Sequence, residues 1–269
     1  MFRAPQSFRL RLLLTLLGLA IVSQLAVGLW VSLQMRQELE SQTQEKLIVA
    51  TRVLDRAMAN RARQLSQSVQ VLASDFGFKS AVGTADRATI ESVLANHGGR
   101  IGADLALLTD TRGEVIVASH LDTGRSLVDL FPNLWSTAQS RGMAVGIVML
   151  KKVPYHLVLV PVEAPDVIGW TAMGFKLDLA LAQSVRNVAR QDVAFIARDP
   201  HSNEPLYAVT TIEADGPGLH ALLKQSPGTS EVARTPRYLS LARELAPETG
   251  QSVQGWVIAD RAALQQRYR

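Results

Sequence analysis

The residues from Leu12 to Met35 form an uncharged run of 24 residues near the start of the chain. The hydrocarbon core of a bilayer, about 30 Å thick, is spanned by roughly 20 apolar residues in an α-helix, so this run is long enough to cross with some tilt. Trp30 lies near one end of it, where an indole suits the membrane interface. The run predicts a transmembrane anchor at 12–35, preceded by a short cytoplasmic tail at 1–11.

A cleaved signal peptide is the competing interpretation, because Arg3, Arg9 and Arg11 supply the positive charges that precede such a peptide. Signal peptides have apolar cores of about 7–15 residues and a cleavage site of small residues. The run here is longer, and its one similar site, Ala26-Val27-Gly28, lies inside the run. We therefore expect an uncleaved anchor, with the long region after it on the far side of the membrane.

The charge of the chain does not indicate a nucleic-acid partner. Four of the 28 basic residues precede Gln37, so the remainder carries 24 basic and 24 acidic residues. A nucleic-acid-binding protein carries its positive excess on a folded face, whereas here the excess belongs to the apolar tail. The chain has no Cys, which excludes disulfides, thiolate metal sites and a cysteine nucleophile.

A long helix is predicted to follow the anchor. Residues 34–73 contain no Gly or Pro and are rich in good helix formers. Apolar residues recur along it at near-heptad spacing, interrupted by Arg61: Leu47, Leu54, Met58, Leu65, Val69 and Leu72. Two interpretations stay open, an amphipathic helix packed on its own domain and a stalk that pairs with a second copy in a homodimer.

The pattern then changes to short strands. A second helix is expected from an Asp86 N-cap to Asn96, with His97-Gly98-Gly99 stopping it. Five strands are predicted at 103–109, 114–119, 144–150, 155–162 and 169–175, with an Asp110-Thr111-Arg112-Gly113 turn between the first two and a structured insertion before the third. These elements predict an α+β domain with an antiparallel five-stranded sheet.

A second, smaller α+β unit is predicted after Asp178. Residues 179–190 are expected to form a connecting helix. Strands are expected at 192–197, 206–212, 237–244 and 252–258, separated by Pro- and Gly-rich turns.

Two stretches carry a resemblance to a known family: residues 97–108 (HGGRIGADLALL) and 158–178 (VLVPVEAPDVIGWTAMGFKLD). They are similar to the double-Cache, PAS-like sensory regions of bacterial transmembrane receptors, including those ahead of GGDEF and EAL domains in cyclic-di-GMP enzymes. The resemblance implies a membrane-distal Cache domain at 36–178, a membrane-proximal one at 179–269, and a periplasmic location with a bacterial inner-membrane anchor. Such receptors return through a second span to a cytoplasmic output domain. This sequence holds neither, so we expect it to be the input half of a receptor or to signal through a partner.

The resemblance also implies where a small-molecule ligand binds, between the sheet and the insertion at 121–142. The polar and aromatic residues expected to contribute are Trp135, Arg141, Tyr155, His156, Trp170, Thr171 and Lys176. Aromatic rings exclude water around a ligand, and Arg or Lys binds a carboxylate or phosphate. The alternative for each residue is ordinary: core packing for the two Trp residues, solvated surface for Arg141 and Lys176, and a structural role for His156.

The two alternatives to a sensor are a hydrolase and an anchored scaffold. A hydrolase finds little support, because the sequence has no G-x-S-x-G, no phosphate-binding loop and no helical His pair. Asp104 and Asp110 flank one strand and could act as acid and base, but Asp more often caps turns. An anchored scaffold that docks another periplasmic protein is the second alternative. We expect a non-enzymatic sensor without a cofactor or metal.

Overall fold

The computed structural model describes residues 8–119, 126–213, 221–224, 232–246 and 252–261, and at 8–13 and 31–43 the description covers the backbone alone. The helices whose bounds are described are α1 (Phe8–Ser74), α2 (Phe76–Thr84), α3 (Arg87–Arg100), α4 (Leu127–Leu130), α5 (Pro132–Arg141) and α6 (Leu179–Ala189), and residues 221–224 are also helical. The strands are β1 (Leu105–Thr109), β2 (Val115–Ala118), β3 (Ala144–Leu150), β4 (Val153–Glu163), β5 (Val167–Lys176), β6 (Asp192–Arg198), β7 (Pro205–Thr210), β8 (Val232–Arg234), β9 (Tyr238–Glu244) and β10 (Val253–Asp260).

Strands β1 to β5 form an antiparallel sheet in the order β2-β1-β5-β4-β3. The five strands predicted from the sequence are all present, and so is the turn between the first two. Asp110 Oδ1 accepts hydrogen bonds from the backbone N–H groups of Arg112 and Glu114, at 2.8 and 2.9 Å, which closes that turn. Helices α4 and α5 form the predicted insertion between β2 and β3.

Strands β6 to β10 form a second antiparallel sheet in the order β7-β6-β10-β9-β8. If the strands of each sheet are numbered from one along the chain, both sheets have the order 2-1-5-4-3, although the sequence shows no internal repeat. Helix α6 precedes the sheet, and its N-cap Asp178 accepts a hydrogen bond from Leu181 N at 2.9 Å. The chain is therefore α+β with two five-stranded sheets. Strand β8 is three residues long and was not predicted.

The apolar stripe of α1 is buried against the two sheets of the same chain. Leu47, Leu54 and Met58 join α6 and the second sheet in one apolar cluster. Further along the same helix, Leu65 and Val69 belong to a second apolar cluster with α2, α3 and the first sheet. For these residues the structure supports the interpretation of an amphipathic helix packed on its own domain.

The segment after α1 differs from the sequence prediction. Helix α1 ends at Ser74, and Asp75 then caps a further helix that was not predicted, α2, by accepting a hydrogen bond from Phe78 N at 2.9 Å. Asp86 caps α3 as predicted. The predicted stop at residues 97–99 is wrong, since α3 continues to Arg100. A Cβ at Gly98 would lie 3.3 Å from Ala106 Cβ, so this glycine allows α3 to approach β1 closely rather than ending the helix.

By its internal contacts the chain divides into two units, Met1–Lys46 and Leu47–Arg269. In the first unit, the side chains from Leu14 to Trp30 are exposed. Within the described part of the chain, no helix combines the length and the hydropathy that crossing a membrane requires. Residues 1–7 of the predicted cytoplasmic tail lie outside the described residues.

Candidate ligand-binding site

The insertion covers one face of the first sheet, which we call the insertion face. Its buried apolar sheet residues include Leu105, Leu107, Ala144, Val148, Leu150, Leu157, Leu159, Trp170 and Ala172. Successive side chains of a strand point to opposite faces, so this face also receives Tyr155 of β4 and Lys176 of β5, which are register partners. Trp135 of α5 packs onto it from the insertion. Four of the seven predicted site residues therefore share the insertion face.

The two tryptophans meet at one end of this face. The rings of Trp135 and Trp170 pack edge to face, with centroids 5.6 Å apart, and each residue is 6% exposed. Gly113 of the turn after β1 has φ +93°, and a Cβ there would lie 3.2 Å from the Trp135 ring. A glycine thus lets the ring lie directly against the turn. The two indoles form an apolar wall at this end of the face.

Tyr155 and Lys176 lie at the other end of the insertion face. Six residues separate Trp170 from Lys176 along β5, a distance of about 20 Å at the rise of a β-strand. Lys176 is held by Asp104, whose Oδ2 accepts a hydrogen bond from Lys176 N at 2.8 Å and whose Oδ1 lies 3.6 Å from Lys176 Nζ. The predicted residues on this face thus form two groups rather than one pocket.

Tyr207 of the second sheet completes the polar group at this end. Its hydroxyl donates to Leu177 O at 2.8 Å. Burial raises the pKa of Tyr207, and the negative charges of Asp178 and Asp104 add to the increase. We call Asp104, Tyr155, Lys176 and Tyr207 the polar cluster. The sequence analysis missed Asp104 and Tyr207 as members, because their approach depends on the pairing of β1 with β5 and on the position of the second sheet.

His156 and Thr171 lie on the opposite face of the sheet. Thr171 is fully buried, and its hydroxyl donates to Leu107 O at 3.2 Å, so its hydrogen bond is made within the sheet. His156 is 4% exposed. Burial, and secondarily the positive charge of Arg61, lower the pKa of His156 to about 4. The imidazole is therefore neutral at physiological pH.

Arg141 is the last residue of α5, and its side chain is exposed. A cation in the last turn of a helix interacts favourably with the partial negative charge of the helix C-terminus. Gly142 follows in the left-handed conformation, with φ +75°, and turns the chain into β3. Arg141 therefore lies at the solvated surface, which was the alternative to a role in ligand binding.

The polar cluster has the chemistry to recognise a charged small molecule. The Lys176 side chain is 43% exposed and that of Asp104 is 35% exposed, so both reach solvent. A ligand carboxylate can displace Asp104 from the ammonium group, and a ligand ammonium group can take the carboxylate. Within the described residues, no group of His, Asp and Glu side chains is placed to hold a metal ion.

Comparison with protein families matches residues 40–254 to a double-Cache family described as the double sensory domain of two-component sensor kinases. A comparison with curated protein sequences finds no match.

Solved structures with the same fold include the periplasmic domain of Vibrio cholerae LuxQ, with a TM-score of 0.55, 11% identity and coverage of 80% of this chain and all of that one. The sensor domain of the V. cholerae histidine kinase DctB gives a TM-score of 0.51 at 18% identity, over 82% of this chain and 99% of that one. The ligand-binding domain of the Campylobacter jejuni chemoreceptor Tlp3 in complex with L-norvaline gives 0.50 at 10% identity, over 85% and 95%. The family match spans most of this chain, and the chain belongs to the double-Cache family of sensory domains.

Proposed function

We propose that the chain is a membrane-anchored, extracytoplasmic sensory module that binds a small ligand and passes the signal along α1. The match of residues 40–254 to a double sensory domain carries this proposal. The uncharged run at 12–35 supports an anchor in a bacterial inner membrane, with the sensory region in the periplasm. A periplasmic location is also that of the LuxQ domain with the same fold.

The insertion face is the proposed site of ligand binding. The polar cluster provides a cation and an anion that reach solvent, whereas the tryptophan pair forms an apolar wall at the other end of the face. The similarly folded Tlp3 domain is a chemoreceptor domain solved with an amino acid. We therefore place amino acids and other small molecules with a carboxylate or an ammonium group first among the candidate ligands.

The packing of α1 supports a route for the signal. One segment of the helix is buried against the second sheet and the next against the first sheet. A ligand that binds one arrangement of these packed elements more tightly shifts the population towards that arrangement. A shift or rotation of α1 would then reach the membrane segment. The output is a cytoplasmic signalling domain, of the sensor-kinase type that the family description names or of the cyclic-di-GMP type.

Ligand-induced stabilisation of the full chain in detergent tests this proposal. A ligand that binds only the folded state raises the melting temperature by mass action. Amino acids, organic acids, amines and purines are to be screened, and at least one is expected to raise the melting temperature in a saturable manner. Lys176→Met should weaken binding by about tenfold if the ligand carries a carboxylate, and Asp104→Asn should do so if it carries an ammonium group, since each variant removes the charged partner of that group.

Lys152→Met is the matched control, because Lys152 is an exposed lysine in the turn between β3 and β4. It should leave the affinity unchanged. The proposal would be contradicted if no compound in the screen shifts the melting temperature. Equal binding to the unaltered chain and to both polar-cluster variants would instead remove the insertion face as the site.

A further inference from the structure

A cleft of about 400 Å³ lies on the other side of the first sheet from the insertion. It is bounded by the middle of α1, by β3 and β4 of the first sheet, and by the end of β9 and the residues after it. We call it the α1 cleft. Small-molecule sites in proteins commonly have volumes of about 300–1,000 Å³, so the α1 cleft is large enough for a small ligand. It is separate from the insertion face.

The walls of the α1 cleft are mostly apolar, and its charged groups are already paired. Apolar lining residues include Met58, Ala62, Val145, Ile147, Leu245 and Ala246. At the rim, Arg243 Nε lies 3.3 Å from Asp55 Oδ2, and both side chains are partly exposed. Glu244 also lines the cleft, and its Oε1 accepts a hydrogen bond from Val253 N at 3.0 Å.

Two buried polar atoms, one in the lining of the cleft and one on helix α1, which borders it, have no hydrogen-bond partner among the described residues. His156 lines the cleft with 4% of its surface exposed, and its Nδ1 makes no hydrogen bond to any described residue. Arg61 follows Met58 by one turn of α1 and precedes the lining residue Ala62, and its Nε is likewise buried without a partner in the described part of the chain. The charge of Arg61 acts on His156, so the two side chains are electrostatic neighbours. Leaving a buried polar group unsatisfied costs about 1–3 kcal/mol, and more for a charged group.

A ligand carboxylate is the group that satisfies both atoms. A neutral imidazole can carry its proton on Nδ1 and donate it, and a guanidinium group has only donors. Both therefore need an acceptor, and a carboxylate also compensates the charge of Arg61. The apolar walls favour a ligand that also carries a short hydrocarbon chain.

The occupied acidic groups restrict the rest of the ligand. An ammonium group on the ligand would find Asp55 already paired with Arg243, and Glu244 already bonded to the backbone. A second carboxylate would face those same two negative side chains, which repel it.

We propose that the α1 cleft is a second binding site, specific for a monocarboxylate with a short apolar chain, whose carboxylate accepts hydrogen bonds from His156 Nδ1 and Arg61 Nε. The site goes beyond the proposed insertion-face site and involves different residues. Its walls come from α1 and from both sheets, so the ligand joins the three elements through which the signal would pass.

Titration of the full chain in detergent with sodium pentanoate tests the proposal. Pentanoate should bind saturably and raise the melting temperature. Three comparators share its carbon chain: 2-aminopentanoate adds an ammonium group, glutarate adds a second carboxylate, and pentylammonium replaces the acid. Each should bind about tenfold more weakly or not at all, which corresponds to about 1.4 kcal/mol or more. Absence of pentanoate binding at about 10 mM, a concentration at which even a millimolar site would stabilise the fold, would overturn the proposal.

Three variants separate binding at the α1 cleft from binding elsewhere. Arg61→Met keeps an unbranched apolar stem but removes the guanidinium group, and should weaken pentanoate binding by about tenfold or more. His156→Leu should do the same, and Ala62→Leu should block the cleft while both donors remain. Arg63→Met, at an exposed position of the same helix, is the matched control and should bind as the unaltered chain does. Urea denaturation establishes that each variant is folded, and pentanoate affinity unchanged in folded Arg61→Met and Ala62→Leu would refute the assignment.

Discussion

The imidazole of His156 is almost completely buried, and its Nδ1 has no compensating hydrogen bond from the residues that the structure describes. Desolvation penalises the charged form of a group, which is why the pKa of His156 is lowered to about 4. Arg61 adds a like charge and lowers the pKa further. Among the described residues, the other charged groups that line the same cleft are Asp55, Arg243 and Glu244.

The lowered pKa of His156 predicts a loss of stability in mild acid. Between pH 6.5 and pH 4 the unfolded chain binds a proton at this residue and the folded chain does not. The stabilising contribution is therefore complete above pH 6.5 and is lost as the pH falls towards 4. The total is about 3 kcal/mol at 1.36 kcal/mol per pH unit. In urea denaturation between pH 7 and pH 4.5, the unaltered chain should lose more stability than His156→Leu.

Comparing the two proteins isolates the histidine, because the raised pKa of Glu244 and all other titrations are common to both. His201→Leu is the control, since 95% of the His201 side chain is exposed, and it should follow the unaltered chain. Parallel pH curves for the unaltered chain and His156→Leu would contradict the lowered pKa, since they would show that His156 binds its proton equally in the folded and unfolded chains.

At the scale of one residue, sequence reasoning identified His156 but not its environment. Its position in a predicted strand made it a candidate, with a structural role as the alternative. Whether the side chain faced the insertion or α1 depended on the register of β4 against β3 and β5. A shift of one residue in register moves every side chain of a strand to the other face.

Helix α1 shows how an apolar stripe is used at the scale of an element. Near-heptad spacing predicted a buried face, and the stripe residues are indeed buried, with Leu47, Leu54 and Val69 fully so. The spacing left the partner of that face undetermined, because a stripe packs equally well on a sheet or on another helix. The structure places the stripe on the two sheets of the same chain. A homodimer stays a prediction.

A pair of valines in α1 tests this packing. Val69 is fully buried, whereas Val71, two residues later, is 71% exposed. Val69→Ala should lower the free energy of unfolding by about 2 kcal/mol, the cost of removing two buried methyl groups and leaving a small cavity. Val71→Ala should change it by less than about 0.5 kcal/mol.

Urea denaturation at several protein concentrations measures both effects. Because Val69 packs within its own chain, its effect should be independent of protein concentration. A loss that appears only in the concentration-dependent transition of a dimer would indicate instead that the stripe faces a second copy.

The topology of the whole molecule in the membrane is the largest feature that the proposal requires. The unit from Leu47 to Arg269 carries the sensory fold, and the uncharged run lies in the unit before it. An anchor at 12–35 with a cytoplasmic N-terminus places the C-terminal end in the periplasm. Long domains after such a segment are translocated largely regardless of their charge.

Reporter fusions at Arg269 test that topology. Alkaline phosphatase folds only in an oxidising compartment and should be active there, whereas a fluorescent protein that folds only in the cytoplasm should be dark. The same phosphatase fusion on a chain that starts at Gln37 should be inactive, because it lacks the run at 12–35. An active phosphatase without the run would contradict the anchor, and so would a purified chain whose first residue lies beyond Trp30.

The local part of this architecture was readable from the sequence. Helix and strand periods, the Asp86 cap and the Asp110–Gly113 turn depend on neighbouring residues, so the α+β class and most element positions followed from them. Only the tertiary structure decided what those elements contact. The pairing of Asp104 with Lys176 and of Asp55 with Arg243 joins residues far apart in sequence. Such contacts depend on strand order and on helix position, which arise from packing the whole chain and leave no periodic signal in any one segment.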